Sequence, residues 1–174
     1  MTEATAMPDT TLRVPLSRRK PVRDTLALMA SMVRGRRDDR TVRDLALRLT
    51  EGCSRGDARC RMHRILSYAR GGLRYELDPR GGELIHDPKD TIDRIAAHGL
   101  AGGDCDDGAV LVSAMLESLG IATRLVAVST RGDRKLHHVA IEARDPSGFW
   151  IYLDPFLRSR VGPPRFTALM RVAV

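Results

Sequence analysis

Cys105 stands in the run Gly102-Gly103-Asp104-Cys105-Asp106-Asp107-Gly108, directly ahead of a long apolar stretch. That stretch predicts a helix with Asp104 as its N-cap, which puts Cys105 in the first turn. Unpaired backbone N–H groups and the positive end of the helix dipole there favour a thiolate over a thiol. A nucleophilic sulfur benefits most at such a place. The N–H groups of the same turn, that of Cys105 among them, can hold the oxyanion formed when a carbonyl is attacked, and Gly103 beside Asp104 leaves room for substrate backbone. Asp106 and Asp107 oppose this, because neighbouring anions raise a thiol's pKa unless they point away or are paired. The sulfur therefore needs a base.

His138 supplies one. In a strand His138, Ala140 and Glu142 face one way while His137, Val139 and Ile141 face the other, so only one of the adjacent histidines faces the cleft. Asp154 ends the following strand, and a hairpin brings it near the start of the partner strand. From there it can fix the imidazole tautomer and stabilise the imidazolium of a Cys⁻/His⁺ pair. A lone cysteine at a helix start is ordinarily a small buried hydrophobe. A glycine-flanked cysteine, a strand histidine and an Asp-Pro in that order outweigh that explanation.

The elements that must position these groups are legible around them. Val42, Leu45, Ala46 and Leu49 recur at helical spacing from Thr41, and Asp57 caps a second helix through Met62, Ile65, Leu66 and Ala69. Gly71-Gly72 ends it, and Leu73 to Leu77 alternates like a short strand. Asp87-Pro88 opens a short helix that stops near Gly99. Ala109 to Leu119, the most apolar helical run, is the buried central helix, closed by Gly120. Strands follow at 122–129, 136–143 and 149–153, the last two joined by the turn Asp145-Pro146-Ser147-Gly148. Helices followed by consecutive strands make an α+β fold.

The 174 residues suit one domain, 22–174, behind a flexible basic leader, 1–21, that has no apolar run resembling a signal peptide. Net charge is +7, and its excess lies in residues 1–70, with 16 Lys/Arg against 8 Asp/Glu. This reads first as a solvated helical surface, with an acidic partner for the Arg-rich part as the alternative. Nucleic acid is disfavoured, since aromatics are 4% of the chain and no base-reading motif accompanies the charge. No segment is long enough to span a bilayer. Three cysteines, an odd number, argue against a disulfide framework and for a reducing, cytoplasmic setting. Cys53, Cys60 and His63 lack a fourth ligand at zinc-site spacing, and Asp104, Asp106 and Asp107 lack a calcium-loop spacing, so neither a metal nor a cofactor is expected. His86 and His98 read as loop or surface residues. Tyr75 is either core or cleft wall, and Trp150, four residues before Asp154 on the same strand face, either roofs the site or packs as an ordinary aromatic.

Gly-Asp-Cys-Asp-Asp at 103–107, the apolar helix ending Leu119-Gly120-Ile121, His138-Val139-Ala140-Ile141-Glu142 and Trp150-Ile151-Tyr152-Leu153-Asp154-Pro155 together resemble the transglutaminase-like superfamily. The resemblance covers about residues 73–155, and the acidic motif looks most like small bacterial and phage-associated members. It implies a papain-like fold, with Cys105 as nucleophile, His138 as general base and acid, and Asp154 as orienting residue. It also implies a thioester acyl-enzyme formed from an amide of a protein or peptide and resolved by water or an amine. The chain departs from the larger eukaryotic members in lacking accessory β-domains, a calcium loop, and a Trp or Gln before the cysteine, so calcium dependence is not expected. The rival reading is a catalytically silent binding or assembly module on the same fold.

Overall fold

The computed structural model describes residues 12–15, 22–79, 82–129, 133, 135–157, 166 and 169–174. Along the chain run β1 (Leu12–Pro15), α1 (Val22–Arg36), α2 (Arg40–Leu49), α3 (Ala58–Gly72), β2 (Leu73–Tyr75), β3 (Gly82–Ile85) and α4 (Pro88–His98). They are followed by β4 (Ala101–Gly103), α5 (Cys105–Ser118), β5 (Thr123–Val128), β6 (His138–Arg144), β7 (Trp150–Leu153) and β8 (Leu169–Ala173). The expected α+β order holds: five helices precede an antiparallel sheet of order β7-β6-β5-β8. Five elements, β1, α1, β3, β4 and β8, lie outside the sequence reading. Helix α1 buries Leu26, Met29, Ala30 and Val33 at helical spacing, but Pro21 rather than a capping residue precedes it. Strand β8 pairs with β5, and β1 pairs with β3. The rest of the leader, 1–11 and 16–21, is outside the described residues.

Helix α5 is buried from Asp106 through Leu116 because it is apolar on every side, with α1 to α4 packed around one side and β5 and β6 on the other. Its start is fixed by a reciprocal capping box, the Asp104 carboxylate accepting from the N-terminal turn and Asp107 reaching back to the Asp104 N–H. Its end is fixed by Gly120, whose φ of +75° lets the chain turn away. A short parallel pair, β2 with β4, sets Tyr75 opposite Gly103, beside the start of α5.

The sheet's other face carries a charged network. Glu142 accepts from Arg124 and, in a bidentate pair, from Arg171 at 2.8 and 3.0 Å, tying β5, β6 and β8 together. Burial alone would raise the Glu142 pKa, but the two guanidiniums hold it below the usual carboxylate range. Glu142→Ala is expected to cost about 2 kcal/mol by leaving two part-buried cations without their acceptor. Urea unfolding of the variant against wild type measures it.

Cys53 and Cys60, expected as free thiols, form a disulfide across seven residues and close the turn that carries the α3 N-cap Asp57. Odd-number counting failed because one pair and one free cysteine also make three; Cys105 is the free one among the described residues. The bridge removes the sequence argument for a reducing compartment. Among the described residues no helix is long and apolar enough to cross a membrane.

Candidate active site

His138 is the first residue of β6, and its register partner is Val128. Leu153, the last residue of β7, pairs with Ile141, so Asp154 follows one step beyond on the face that His138 shares. The side chains meet: His138 Nε2 lies 2.6 Å from Asp154 Oδ2. Cys105, Asp106 and His138 border one cavity of about 160 Å³, walled by Val22, Leu26 and Leu136. The residues picked from sequence as nucleophile, base and orienting acid are thus brought to one place from three elements.

Asp154 is buried, yet every lone-pair direction is used. Oδ1 accepts the N–H groups of Phe156 and Leu157 at 3.0 and 2.8 Å, and Oδ2 accepts the Tyr152 hydroxyl at 2.9 Å beside the imidazole. Burial pushes its pKa up, but the bond and charge of His138 and the two N–H groups more than offset that, leaving Asp154 below the ordinary carboxylate range. It is therefore an anion wherever the imidazole could be charged. Arg70, in the last turn of α3, donates to the Asp154 carbonyl at 2.8 Å and braces the backbone on the other side. Neither Tyr152 nor Arg70 was singled out from sequence. Tyr152 was findable, since it precedes Asp154 by two and shares its strand face; Arg70 is 84 residues away and was not.

The sulfur's surroundings reverse one expectation. Burial pushes the Cys105 thiol well above its ordinary pKa, and Asp106 and Asp104 add to the rise, with the Val139 N–H on the sulfur opposing them. The thiol donates to Asp106 Oδ1 at 3.6 Å. The helix terminus loses because its N–H groups are already taken: Asp106 and Asp107 donate to the Asp104 side chain and Gly108 to its carbonyl. Among the described residues, the first-turn N–H left without an acceptor is that of Cys105. Asp107 points away from the sulfur, accepting from the His86 N–H at 2.7 Å with the His86 ring at 3.1 Å. His86 is thus a support of the helix start rather than a loose loop residue.

Asp106→Asn should remove the nearest anion and lower the thiol's pKa, speeding iodoacetamide labelling of Cys105 at neutral pH by roughly tenfold, since one pKa unit is a factor of ten in thiolate. Alkylation rates read by mass spectrometry decide it; an unchanged rate would mean that burial and Asp104, not Asp106, set the thiol.

Other candidates fall elsewhere. Gly103 gives clearance inside the fold rather than room for substrate, since a Cβ there would meet Asp107 Oδ2 at 2.7 Å. The Asp104 N–H is spent on Asp107 at 3.0 Å and cannot serve an oxyanion. Tyr75 is 54% exposed, not core, and packs edge-on against Phe156 at 5.2 Å beside the helix start. Trp150 does not roof the site: it lies at the far end of β7, under the Arg124 guanidinium at 4.2 Å. His137, expected to face away, lines the cavity because it precedes the strand and escapes its alternation; its Nδ1 is 2.7 Å from the Lys135 carbonyl. His63 and His98 are exposed on α3 and α4. Asp104, Cys105 and Asp106 bring ligand atoms within 4.8 Å of one another. Their oxygens are engaged in capping and in holding the thiol.

Two solved structures share this architecture. A candidate protease from Parabacteroides distasonis superposes with a TM-score of 0.51 at 20% identity, over 78% of this chain and 26% of its own. A candidate cysteine protease from Cytophaga hutchinsonii superposes with a TM-score of 0.52 at 14% identity, over 94% of this chain and 62% of its own. This chain therefore spans less than two thirds of either. No curated protein matches the sequence. The family model of the transglutaminase-like superfamily matches residues 43–155, a span that holds α3, α5 and the β6–β7 hairpin and with them the cysteine, the histidine and the aspartate. On that match, joined to a fold in which those three residues converge, the chain belongs to the transglutaminase-like superfamily.

Proposed function

We propose that the chain is a cysteine-dependent enzyme that transfers the acyl group of a peptide or isopeptide amide through a thioester. The observation that carries the reading is the 2.6 Å contact between His138 Nε2 and Asp154 Oδ2 beside the cavity that holds Cys105. With Nε2 bound to an anion, Nδ1 is the ring nitrogen that exchanges the proton. Because the free sulfur is a buried thiol, His138 takes its proton as Sγ attacks the carbonyl carbon. The Cys105 N–H meets the developing oxyanion. The C–N bond then breaks, His138 returns the proton to the leaving amine, and a thioester remains. Water or an amine, deprotonated by the same imidazole, displaces the sulfur and restores the thiol.

The raised thiol also favours a second reading, a silent module that keeps the fold. The test is iodoacetamide labelling of Cys105 across pH in wild type and His138→Ala, with hydroxylamine trapping of any acyl-enzyme formed from peptide mixtures. The enzyme reading expects labelling at neutral pH to fall at least about tenfold in the variant, and a hydroxamate from wild type only. Equal labelling in both proteins with no trapped acyl group would leave the module.

A further inference from the structure

At the opposite end of α5 from Cys105, about 20 Å away for 14 residues rising roughly 1.5 Å each, two cavities adjoin. One, of about 420 Å³, lies between the start of α3 and the β6–β7 turn. The other, of about 560 Å³, lies between the end of α2 and the 51–53 turn. Both are lined by Arg61, Leu119 and Gly120, so they lie side by side along a shared wall as a two-part groove. We propose that this groove is a docking site for an acidic peptide segment of a partner protein, held by Arg43, Arg61 and Arg144.

Charge complementarity points to an acidic occupant. Arg43 lines one cavity, Arg144 the other and Arg61 both, and among the described residues none of the three guanidiniums is bonded to an acid. Two carboxylates share the lining. Asp145 is already bonded to Arg59 at 3.0 Å and to the Phe149 N–H, which leaves Glu51 against three cations. Some neighbouring basic residues are paired, Arg40 with Asp44, Arg37 with Asp38 and Arg36 with Asp87, whereas the three arginines of the groove lie together with no acid bonded to them among the described residues. The groove thus gathers two of the unpaired arginines of residues 1–70, Arg43 and Arg61, together with Arg144.

Its shape and lining select the ligand. A small anion would not span both cavities, whereas an extended chain would. Among the described residues no aromatic side chain lines either cavity, so nucleobases find none there to stack on. Leu47, Leu119 and Ile121 offer apolar contact between the charges, suited to a peptide of mixed acidic and apolar residues. The Cys53–Cys60 bridge fixes the turn that forms one wall, so the groove needs little ordering on binding. Lying far from Cys105, a docked segment leaves the cleft open.

The probe is a fluorescein-labelled decapeptide of alternating Glu and Leu, followed by anisotropy. Controls are the Lys/Leu peptide and a single-stranded DNA of ten nucleotides. The Glu peptide should bind, weaken as salt rises from about 50 to 200 mM, and lose at least about tenfold in affinity in Arg43→Glu/Arg61→Glu/Arg144→Glu. The matching Gln variant should lose binding too, with a melting temperature near wild type, so that misfolding is not mistaken for the effect. Reversal of Arg23 and Arg34 on α1, which line neither cavity, should change affinity less than twofold. Three results would overturn the proposal: unchanged binding in both groove variants, equal loss on reversing Arg23 and Arg34, or tighter binding of the oligonucleotide than of the peptide.

Discussion

His138→Ala is expected to lower kcat/KM for amide turnover by about 10³-fold, with Cys105→Ala falling to background. The size follows from the sulfur's surroundings rather than from the triad pattern alone. A thiol held above its ordinary pKa by burial, with Asp106 and Asp104 beside it, presents almost no thiolate at neutral pH. Base assistance then has to come during the attack itself. Steady-state kinetics on any substrate that yields a hydroxamate measure the loss, and added imidazole should restore part of it in His138→Gly. Were His138→Ala to keep wild-type turnover, the proton acceptor would have to be another group on the cavity, and His137 would be first to examine.

The pH dependence has a defined sign. Asp154 lies below the usual carboxylate range, so it remains ionised as pH falls toward that range and cannot produce the acid limb of an activity profile. In the proposed mechanism that limb reports loss of the acceptor for the thiol proton. Tyr152→Phe removes a hydrogen bond from the same Asp154 oxygen that His138 uses, which leaves more negative charge for the imidazolium. The acid limb should therefore move to higher pH in that variant.

How much of this was written in the sequence depends on the range of each interaction. Helix α5 was legible because its apolar run and the flanking Asp104 and Gly120 are local. The hairpin that joins His138 to Asp154 was legible because strand alternation and a four-residue turn fix its register. Strand β8 was not, because its alternation of exposed and half-buried residues follows Pro163-Pro164 and has a partner some forty-five residues earlier, in β5. The thiol's protonation state was misread for a related reason. The sequence shows an N–H-rich helix start, but only the folded turn shows that Asp104 has consumed those donors and that Asp106 turns back on the sulfur. Trp150 shows the limit of parity: it shares a face with Asp154, yet the length of the strand takes it to the other end of the sheet.

Gly108→Ala should cost roughly tenfold or more in kcat/KM while leaving most of the fold's stability in place, although Gly108 touches no reacting group. A Cβ built there would lie 2.8 Å from the Phe156 ring and 3.0 Å from Pro155 Cβ, the two residues that follow Asp154. Their close seat on α5 locates Asp154, because the Phe156 N–H and the Arg70 bond to the Asp154 carbonyl tie that short segment together. The half-buried Phe156 ring can turn, but buried Pro155 cannot fold aside, so the segment must shift by a few tenths of an ångström. Asp154 moves with it and its contact with the imidazole is disturbed; since misplacement of about 1 Å costs about 10²-fold, a shift of a few tenths costs about tenfold. Stability should fall by only about 1–3 kcal/mol, as for overpacking elsewhere. The distinguishing readout is a kcat loss with near-normal KM, together with a His138 ring signal displaced in the NMR spectrum. A variant with wild-type kcat would mean that the Asp154 segment is free to slide, and that the 2.6 Å contact does not depend on its seat against α5.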